Sequence, residues 1–449
     1  MASLKLALTT SAAAFTALGV QAAATPAAAS RPPNIIVFLA DDMGYGDSSV
    51  YGGWIKTPAM EKLAAEGVRF TDFHASAAVC SPTRAGLLTG RYQQRAGIPN
   101  VILAAERFPS HFAGLQPGVE ITLPQMLRQA GYDTAIFGKW HLGYYPKYNP
   151  MHHGFDTFCG YISGNVDYHS HLDNQGNEDW WDGLKLKPDK GYTTTLITKY
   201  TVDFIKKNRD SPFFIYVANE AVHDPYQGPK DPPIRVPGLK QGKSGNRPVK
   251  EAYREMMIEM DKGLARICET LRETGLAENT MVFFFSDNGA TKEGSNSPFR
   301  GHKGDLYEGG HREPAIAWWP GRIKPGVSHD LAISLDLMPT FLDLAGIAPS
   351  KERPLDGVSL KTLLLENRPL GTRKLYWNGQ AMREGPWKLI IADGHPQLYN
   401  LDDDPAEAND ISEEHGARVR SMLVDLNAWK KDVATGATPQ PRNAASLKN

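Results

Sequence analysis

The sequence predicts an α/β fold: a large, mostly parallel central sheet flanked by helices, followed by a small antiparallel sheet and a closing helix. Three observations predict it. Continuous apolar runs of strand length recur from residue 34 to residue 319, as in strands buried on both faces. Helical patterns lie between them, the alternation that builds a parallel sheet. After about Arg373 the pattern changes to short strand-like runs separated by Gly, Pro and Asp clusters, which reads as a meander.

Taken in order, the buried strands are expected at residues 34–40, 134–137, 213–218, 281–285 and 315–319. The helix at 58–67 opens with a proline and closes with a glycine, the usual punctuation. A short helix is expected at 123–130, before Gly131, and longer amphipathic ones at 194–208 and 253–274. The small sheet takes residues 375–377, 387–391 and 397–399, and the closing helix 412–430. The domain boundaries follow: a main α/β body over 33–370, a C-terminal α+β subdomain over 371–434, and a polar, frayed tail over 435–449.

The ends and the composition narrow the class. Lys5, the apolar and small-residue run to Val20, and Val20-Gln21-Ala22 read as a secretory leader over residues 1–24. Ala22-Ala23-Ala24 also fits cleavage, so the cut falls between 22 and 30. The mature chain is expected to be exported, periplasmic or secreted. No later segment approaches the ~20 uninterrupted apolar residues of a membrane span. Net charge is −1 over 449 residues, which points to neither nucleic acid nor an anionic membrane surface. Of three cysteines, Cys80, Cys159 and Cys268, at least one is unpaired. Cys159 and Cys268 either pair or remain two buried thiols; a core of this size needs no staple.

The most informative stretch is Cys80-Ser81-Pro82-Thr83-Arg84-Ala85-Gly86-Leu87-Leu88-Thr89-Gly90. A cysteine, a proline two places on and an arginine four places on, then an apolar pair and Thr-Gly, is a very rare arrangement. Four expected strands also run into reactive side chains: Asp41-Asp42, Lys139 with His141, His223, and Asp287-Asn288. Ligands of open α/β sheets sit beyond the carboxyl ends of strands. Taken singly, each cluster has a plainer reading. The aspartates suit turns or helix caps, the lysine a solvated surface, and the histidines hydrogen-bonded structural positions.

The Cys80–Gly90 segment resembles the signature of the type I sulfatases, in the alkaline phosphatase-like superfamily. Gly131-Tyr132, Thr134, Gly138-Lys139 and His141 are similar to that family's second motif, with Phe137 bulkier than usual. Gly301-His302-Lys303-Gly304 and the following Asp305–Gly310 also look like the family. The resemblance implies that a maturation enzyme, acting on the unfolded chain, oxidises Cys80 to formylglycine, whose hydrate is the nucleophile. It implies one Ca²⁺ held by Asp41, Asp42, Asp287 and Asn288, with residue 80 as a further ligand. The chemistry agrees: carboxylate and amide oxygens suit a hard cation. In zinc-dependent relatives a histidine follows the aspartate where this chain has Asn288.

The implied reaction is sulfate-ester hydrolysis through a formylglycine gem-diol and a covalent sulfo-enzyme. Arg84, Lys139 and Lys303 would surround the sulfuryl oxygens. His223, alone or with Lys303, would protonate the leaving group, and His141 would assist release of sulfate. Asn165, Asp167, His169, His171 and Trp181, clustered among glycines, form either a saccharide subsite or a structural loop; His311 is a further candidate. The stretch resembles glycan sulfatases acting on galactose or N-acetylgalactosamine 4-sulfates, so the expected substrate is a sulfated carbohydrate, with aryl sulfates also accepted. Two alternatives stand beside this one: a phosphonate or phosphate ester hydrolase using the same aldehyde, and a secreted glycan-binding protein whose Cys80 is never converted.

Overall fold

The computed structural model describes residues 1–3, 7–9, 31–240, 245 and 247–447. The leader expected over residues 1–24 lies, apart from a few positions, outside the described residues.

Among the described residues, eleven strands join in one mixed sheet. In chain order they are β1 (Asn34–Ala40), β2 (Val68–His74), β3 (Asp133–Lys139), β4 (Thr157–Tyr161), β5 (Trp181–Asp182), β6 (Lys185–Leu186), β7 (Phe213–Ala218), β8 (Thr280–Ser286), β9 (Arg312–Trp318), β10 (Gly326–Ser328) and β11 (Ala332–Ile333). The neighbours run β10-β2-β9-β8-β1-β7-β3-β4-β5-β6, with β11 on β2. The four strands β8, β1, β7 and β3 are adjacent and mutually parallel. Their carboxyl ends therefore open on one edge, which puts the four predicted clusters together. The predicted strand at 315–319 falls within β9, which runs antiparallel to both β8 and β2. A run buried on both faces carries no signal of direction.

Side chains alternate across the sheet, so β1 feeds two cores. Ile35, Val37 and Leu39 pack with Leu87 and Leu88 of α2 (Cys80–Thr89), Leu123 and Leu127 of α3 (Leu123–Gln129), and residues of α7 (Leu337–Leu344) and α8 (Lys361–Glu366). Ile36, Phe38 and Ala40 pack on the other face with Met60 and Leu63 of α1 (Pro58–Glu66), Ile197 and Ile205 of α4 (Thr193–Lys207), and Met256 and Leu264 of α5 (Val249–Glu273). A short α6 (Glu308–His311) precedes β9.

The predicted small sheet is a four-stranded antiparallel meander: β12 (Lys374–Trp377), β13 (Ala381–Glu384), β14 (Trp387–Ala392) and β15 (His395–Asn400). It is closed by α9 (Gly416–Ala434). Both sheets belong to one compact unit. Their junction is ionic as well as apolar: buried Glu308 meets Lys388 at 2.8 Å and Arg383 at 3.1 Å, and Arg383 also grips Asp72 at 2.7 Å. These cations, Lys388 foremost, overcome the burial that opposes ionisation and hold Glu308 well below the usual carboxylate range.

The tail is not frayed, contrary to the sequence expectation. Thr438 donates its N–H to the Arg95 carbonyl at 2.8 Å and its hydroxyl to Glu120 at 2.5 Å. Gln440 bonds Ala96, Gly114 and Gln116. A polar strap satisfied by backbone partners leaves no hydrophobic trace in a sequence. Cys159 is half-buried on β4 and Cys268 buried on α5, and both are free thiols. Among the described residues no helix is long and apolar enough to cross a membrane.

Candidate active site

Beyond β1 the chain turns sharply at Asp42, whose φ is +61°, a left-handed conformation that Asp tolerates better than most residues. The turn sends Asp41 and Asp42 in different directions within one buried cluster. Asp41 Oδ2 accepts Lys139 Nζ at 2.5 Å and lies 3.5 Å from Arg84 Nη2. Asp42 Oδ1 accepts Lys303 Nζ at 2.6 Å and Asn288 Nδ2 at 2.7 Å. Asp287 Oδ2 accepts Arg84 Nη2 at 2.9 Å.

Asp41, Asp42 and Asn288 retain unused capacity, while both oxygens of Asp287 are hydrogen-bonded. Asp41 Oδ1, Asp42 Oδ2 and Asn288 Oδ1 are buried without a hydrogen-bond partner. The bonds that Asn288 Nδ2 donates to Asp42 Oδ1 and to the Gly289 carbonyl fix which end of the amide is oxygen. Three orphaned oxygens in one pocket are costly unless something electropositive meets them. Oxygen-only donors fit a hard divalent cation, so Asp41, Asp42, Asp287 and Asn288 are suited to hold Ca²⁺.

Cys80 starts α2, a helix buried along its whole length. Its Sγ lies 3.2 Å from His141 Nδ1, and His141 Nε2 lies 2.9 Å from the Ile102 carbonyl. A carbonyl only accepts, so Nε2 carries the ring proton and Nδ1 faces residue 80. Burial, aided by Lys139, holds His141 well below the usual histidine range, while burial pushes the Cys80 thiol up against the pull of Lys139 and Lys303. His223 donates Nδ1–H to the Asp224 carbonyl at 2.7 Å, which leaves Nε2 3.7 Å from Asp42 Oδ2. Burial and then the Lys303 ammonium push His223 down to about 4. Burial together with Asp41 pushes Asp287 up to about 6.

Asp42, Cys80, His141, His223 and Lys303 line one cleft of about 340 Å³. Arg84 and Lys139 do not line it. Arg84 is fully buried behind the cluster and spends its donors on Asp287, the Lys139 carbonyl and Tyr216. It braces the carboxylates of Asp287 and Asp41 and does not face the cleft, where the sequence reading expected it.

Of the predicted sugar-binding residues, only Asn165 reaches the cleft. Asp167 is taken up by backbone N–H groups of His169, Ser170, Ile234 and Arg235. His169 pairs with the Gly228 carbonyl, and buried His171 stacks on Trp180 at 4.3 Å. Trp181 donates to Asp179 at 2.7 Å. His311 is fully buried at the junction of the two sheets, stacked on Trp377 at 4.2 Å and 3.0 Å from His74. Of that loop, Gly164, Asn165 and Asn174 line the cleft, while the other predicted residues are spent on hydrogen bonds and ring packing within the fold. Sequence reasoning missed Asp224, Arg235 and Lys240 on the cleft wall. Arg235 Nη2 bonds Asn165 Oδ1 at 2.8 Å, a contact across 70 residues with no local signal.

A cysteine at a helix start, an acidic oxygen cluster, two lysines and two histidines beside a cleft suit a hydrolase of anionic esters. The chain belongs to the sulfatase family: the family described as Sulfatase matches residues 33–347. It is 38% identical to human N-acetylgalactosamine-6-sulfatase over 379 residues, covering 79% of this chain and 70% of that protein. It is 36% identical to human arylsulfatase A over 448 residues, covering 85% of this chain and 83% of that one. The structure of Ps i-CgsB, also seen in complex with k-i-k-neocarrahexaose, superposes with a TM-score of 0.80 at 27% identity, covering 93% of this chain and 96% of that one. The N-acetylgalactosamine relative is named for the 6-sulfate, where the sequence reading leaned to the 4-sulfate. The fold expected from sequence is the one these neighbours share.

Proposed function

We propose that this sulfatase hydrolyses sulfate esters of a carbohydrate, with aryl sulfates as simpler substrates, using a formylglycine made from Cys80 and one Ca²⁺. The observation that carries the reading is the position of Cys80 at the start of α2, on a cleft shared with Lys303, His141 and His223 and beside three unpartnered oxygens. Relatives named N-acetylgalactosamine-6-sulfatase, and a neighbour solved in complex with k-i-k-neocarrahexaose, support a glycan substrate.

Ca²⁺ supplies neutralisation of the clustered carboxylates and Lewis-acid activation of the nucleophile; formylglycine supplies a hydrated aldehyde that, unlike serine, can release the sulfate it takes up. The chain's own residues do the rest. Lys303, on the cleft wall and against Asp42, meets a sulfuryl oxygen. His223, held by Asp224 through Nδ1–H, points Nε2 toward the cleft, and the leaving oxygen takes its proton from the imidazolium formed when Nε2 is protonated or from the Lys303 ammonium beside it. His141 Nδ1 takes the proton from residue 80 when sulfate departs. Lys139 and Arg84 act from behind, cancelling the charge of Asp41 and Asp287. The leader reading supports export to the periplasm or medium, with conversion of Cys80 by a maturation enzyme on the unfolded chain.

The test combines the mass of the Cys80 peptide with sulfate release. Conversion makes the peptide lighter by the difference between thiol and aldehyde. The matured protein is expected to release sulfate from nitrophenyl sulfate and from 6-sulfated N-acetylgalactosamine oligosaccharides. Faster turnover of nitrophenyl phosphate or phenylphosphonate would make it a phosphorus ester hydrolase instead. An unconverted, inactive Cys80 would leave only binding.

A further inference from the structure

Ser81 sits between the nucleophile position and Pro82 and is fully buried. Its Oγ accepts the backbone N–H of Ile102 at 3.1 Å. The carbonyl of that same residue accepts His141 Nε2–H at 2.9 Å, and His141 Nδ1 reaches residue 80 at 3.2 Å. The four residues form a closed circuit: 80 to 81 through the chain, 81 to 102 and 102 to 141 through hydrogen bonds, and 141 back to 80.

Ile102 lies in a stretch, residues 101–103, that belongs to no helix or strand. No sheet ladder holds Ile102: its N–H, in the 101–102 peptide, is held by Ser81, and its carbonyl, in the 102–103 peptide, is held by His141, with the Leu103 N–H of that same peptide on Ser110 at 3.4 Å. His141 itself has φ +56°, a conformation that β-type or helical neighbours do not enforce. The chain also passes close to the ring at Gly164, where an added Cβ would lie 2.9 Å from Nε2. The ring therefore has one tautomer and one direction available while the Ile102 carbonyl stays where it is.

We infer that Ser81 is a positioning residue of the reaction: by anchoring Ile102 through its N–H it places the Ile102 carbonyl, which sets the tautomer of His141 and aims Nδ1 at residue 80. The proton at issue passes from a hydroxyl on residue 80 to His141 Nδ1 while Nε2 keeps its own proton on the Ile102 carbonyl. Without Ser81 the Ile102 N–H loses its buried partner, the 101–102 peptide turns to find another, Ile102 shifts with it, and the imidazole loses its fixed acceptor. The inference rests on the reading of residue 80 as nucleophile and His141 as its base. It assigns a role to a position inside Cys80–Arg84 that the maturation motif leaves unspecified.

The experiment uses the full chain and Ser81→Ala, with conversion at Cys80 measured by peptide mass so that rates are expressed per converted site. Turnover of nitrophenyl sulfate is expected to fall about tenfold or more in kcat, with KM within about twofold, the pattern of a displaced base. Ser81→Thr keeps the acceptor oxygen and is expected to recover at least half of the loss. Separately, ¹⁵N-histidine spectra of the unconverted chain, assigned with His141→Gln, are expected to show His141 as the Nε2–H tautomer, shifting to a mixture in Ser81→Ala. An Nδ1–H tautomer in the unsubstituted chain, or a Ser81→Ala protein with unchanged kcat per converted site, overturns the inference. The tautomer reading on the unsubstituted chain decides if Ser81→Ala does not fold. Absence of sulfate release from converted, unsubstituted protein would instead overturn the nucleophile assignment and leave the tautomer test standing.

Discussion

Arg84 holds Asp287 by two donors on a single oxygen, Nε at 3.1 Å and Nη2 at 2.9 Å from Oδ2, while Oδ1 accepts the backbone N–H of Asp42 at 3.3 Å. One fully buried guanidinium thus ties α2 to the end of β8, and Asp287 in turn ties β8 to the turn after β1. Breaking a buried ion pair from one side leaves a charge unpaired and costs about 3–5 kcal/mol. Arg84→Lys cannot reproduce the fork. Its urea midpoint, measured on unconverted protein to separate stability from maturation, is expected to fall by that equivalent; an unchanged midpoint would show that the fork is dispensable.

Removal of the cation should silence the site. Exhaustive chelation is expected to lower sulfate release on the order of a hundredfold, with recovery on adding Ca²⁺ and little recovery with Zn²⁺. Activity that survives verified metal loss would leave the three orphaned oxygens without the role given to them.

Cys80→Ala removes the nucleophile and nothing else of size. Turnover is expected to drop by at least roughly a thousandfold, with circular dichroism, melting temperature and binding of a sulfated oligosaccharide close to those of the parent. Near-normal rates in this variant would end the assignment.

The strap over residues 438–440 can be tested at Gly97. This glycine has φ +72°, and a Cβ there would lie 2.1 Å from the Thr438 carbonyl. Gly97→Ala therefore combines backbone strain with a clash and is expected to cost about 1–3 kcal/mol, read as a lower melting temperature. A neutral substitution would mean the strap is loosely held.

Acid stability should depend on His153, which burial pushes down to about 3. It stays neutral in the folded protein, while in the unfolded chain it takes a proton near its ordinary value of 6.5. Its depressed value contributes stability above pH ~6.5 that is lost progressively as pH falls toward about 3. His153→Gln, which does not titrate, is expected to flatten the fall in unfolding free energy across that window. Equal slopes for both proteins would refute the assignment.

The centre of the sheet was legible because β1, β3, β7 and β8 are apolar runs that end in chemistry, and adjacency of parallel strands then assembled Asp41, His141, His223 and Asp287 on one edge. Strand β2 escaped because Arg69, Thr71 and Asp72 break its apolar run. Helix α2 escaped because Pro82 and Gly86 are poor helix formers; its burial on all sides overrides propensity. The loop carrying Asp167, His169, His171 and Trp181 misled because aromatic and planar polar residues serve a folded loop as well as a sugar. Composition does not reveal that Asp167 is already occupied by backbone N–H groups. Arg84 was rightly singled out for its position but not for its direction, since only the three-dimensional arrangement shows that it faces Asp287 instead of the cleft.

The neighbours of β1 are β7 and β8, both made long after residues 80–90 leave the ribosome. Nothing upstream can complete the sheet, so the nucleophile segment has no folded home until residue 286 is synthesised. At about 5–20 residues per second that interval is roughly 10–40 s. Strand order therefore acts as a timer: it leaves Cys80 outside a completed sheet during translation, the interval in which the proposed maturation enzyme would have to read it, and closes the window once β8 docks.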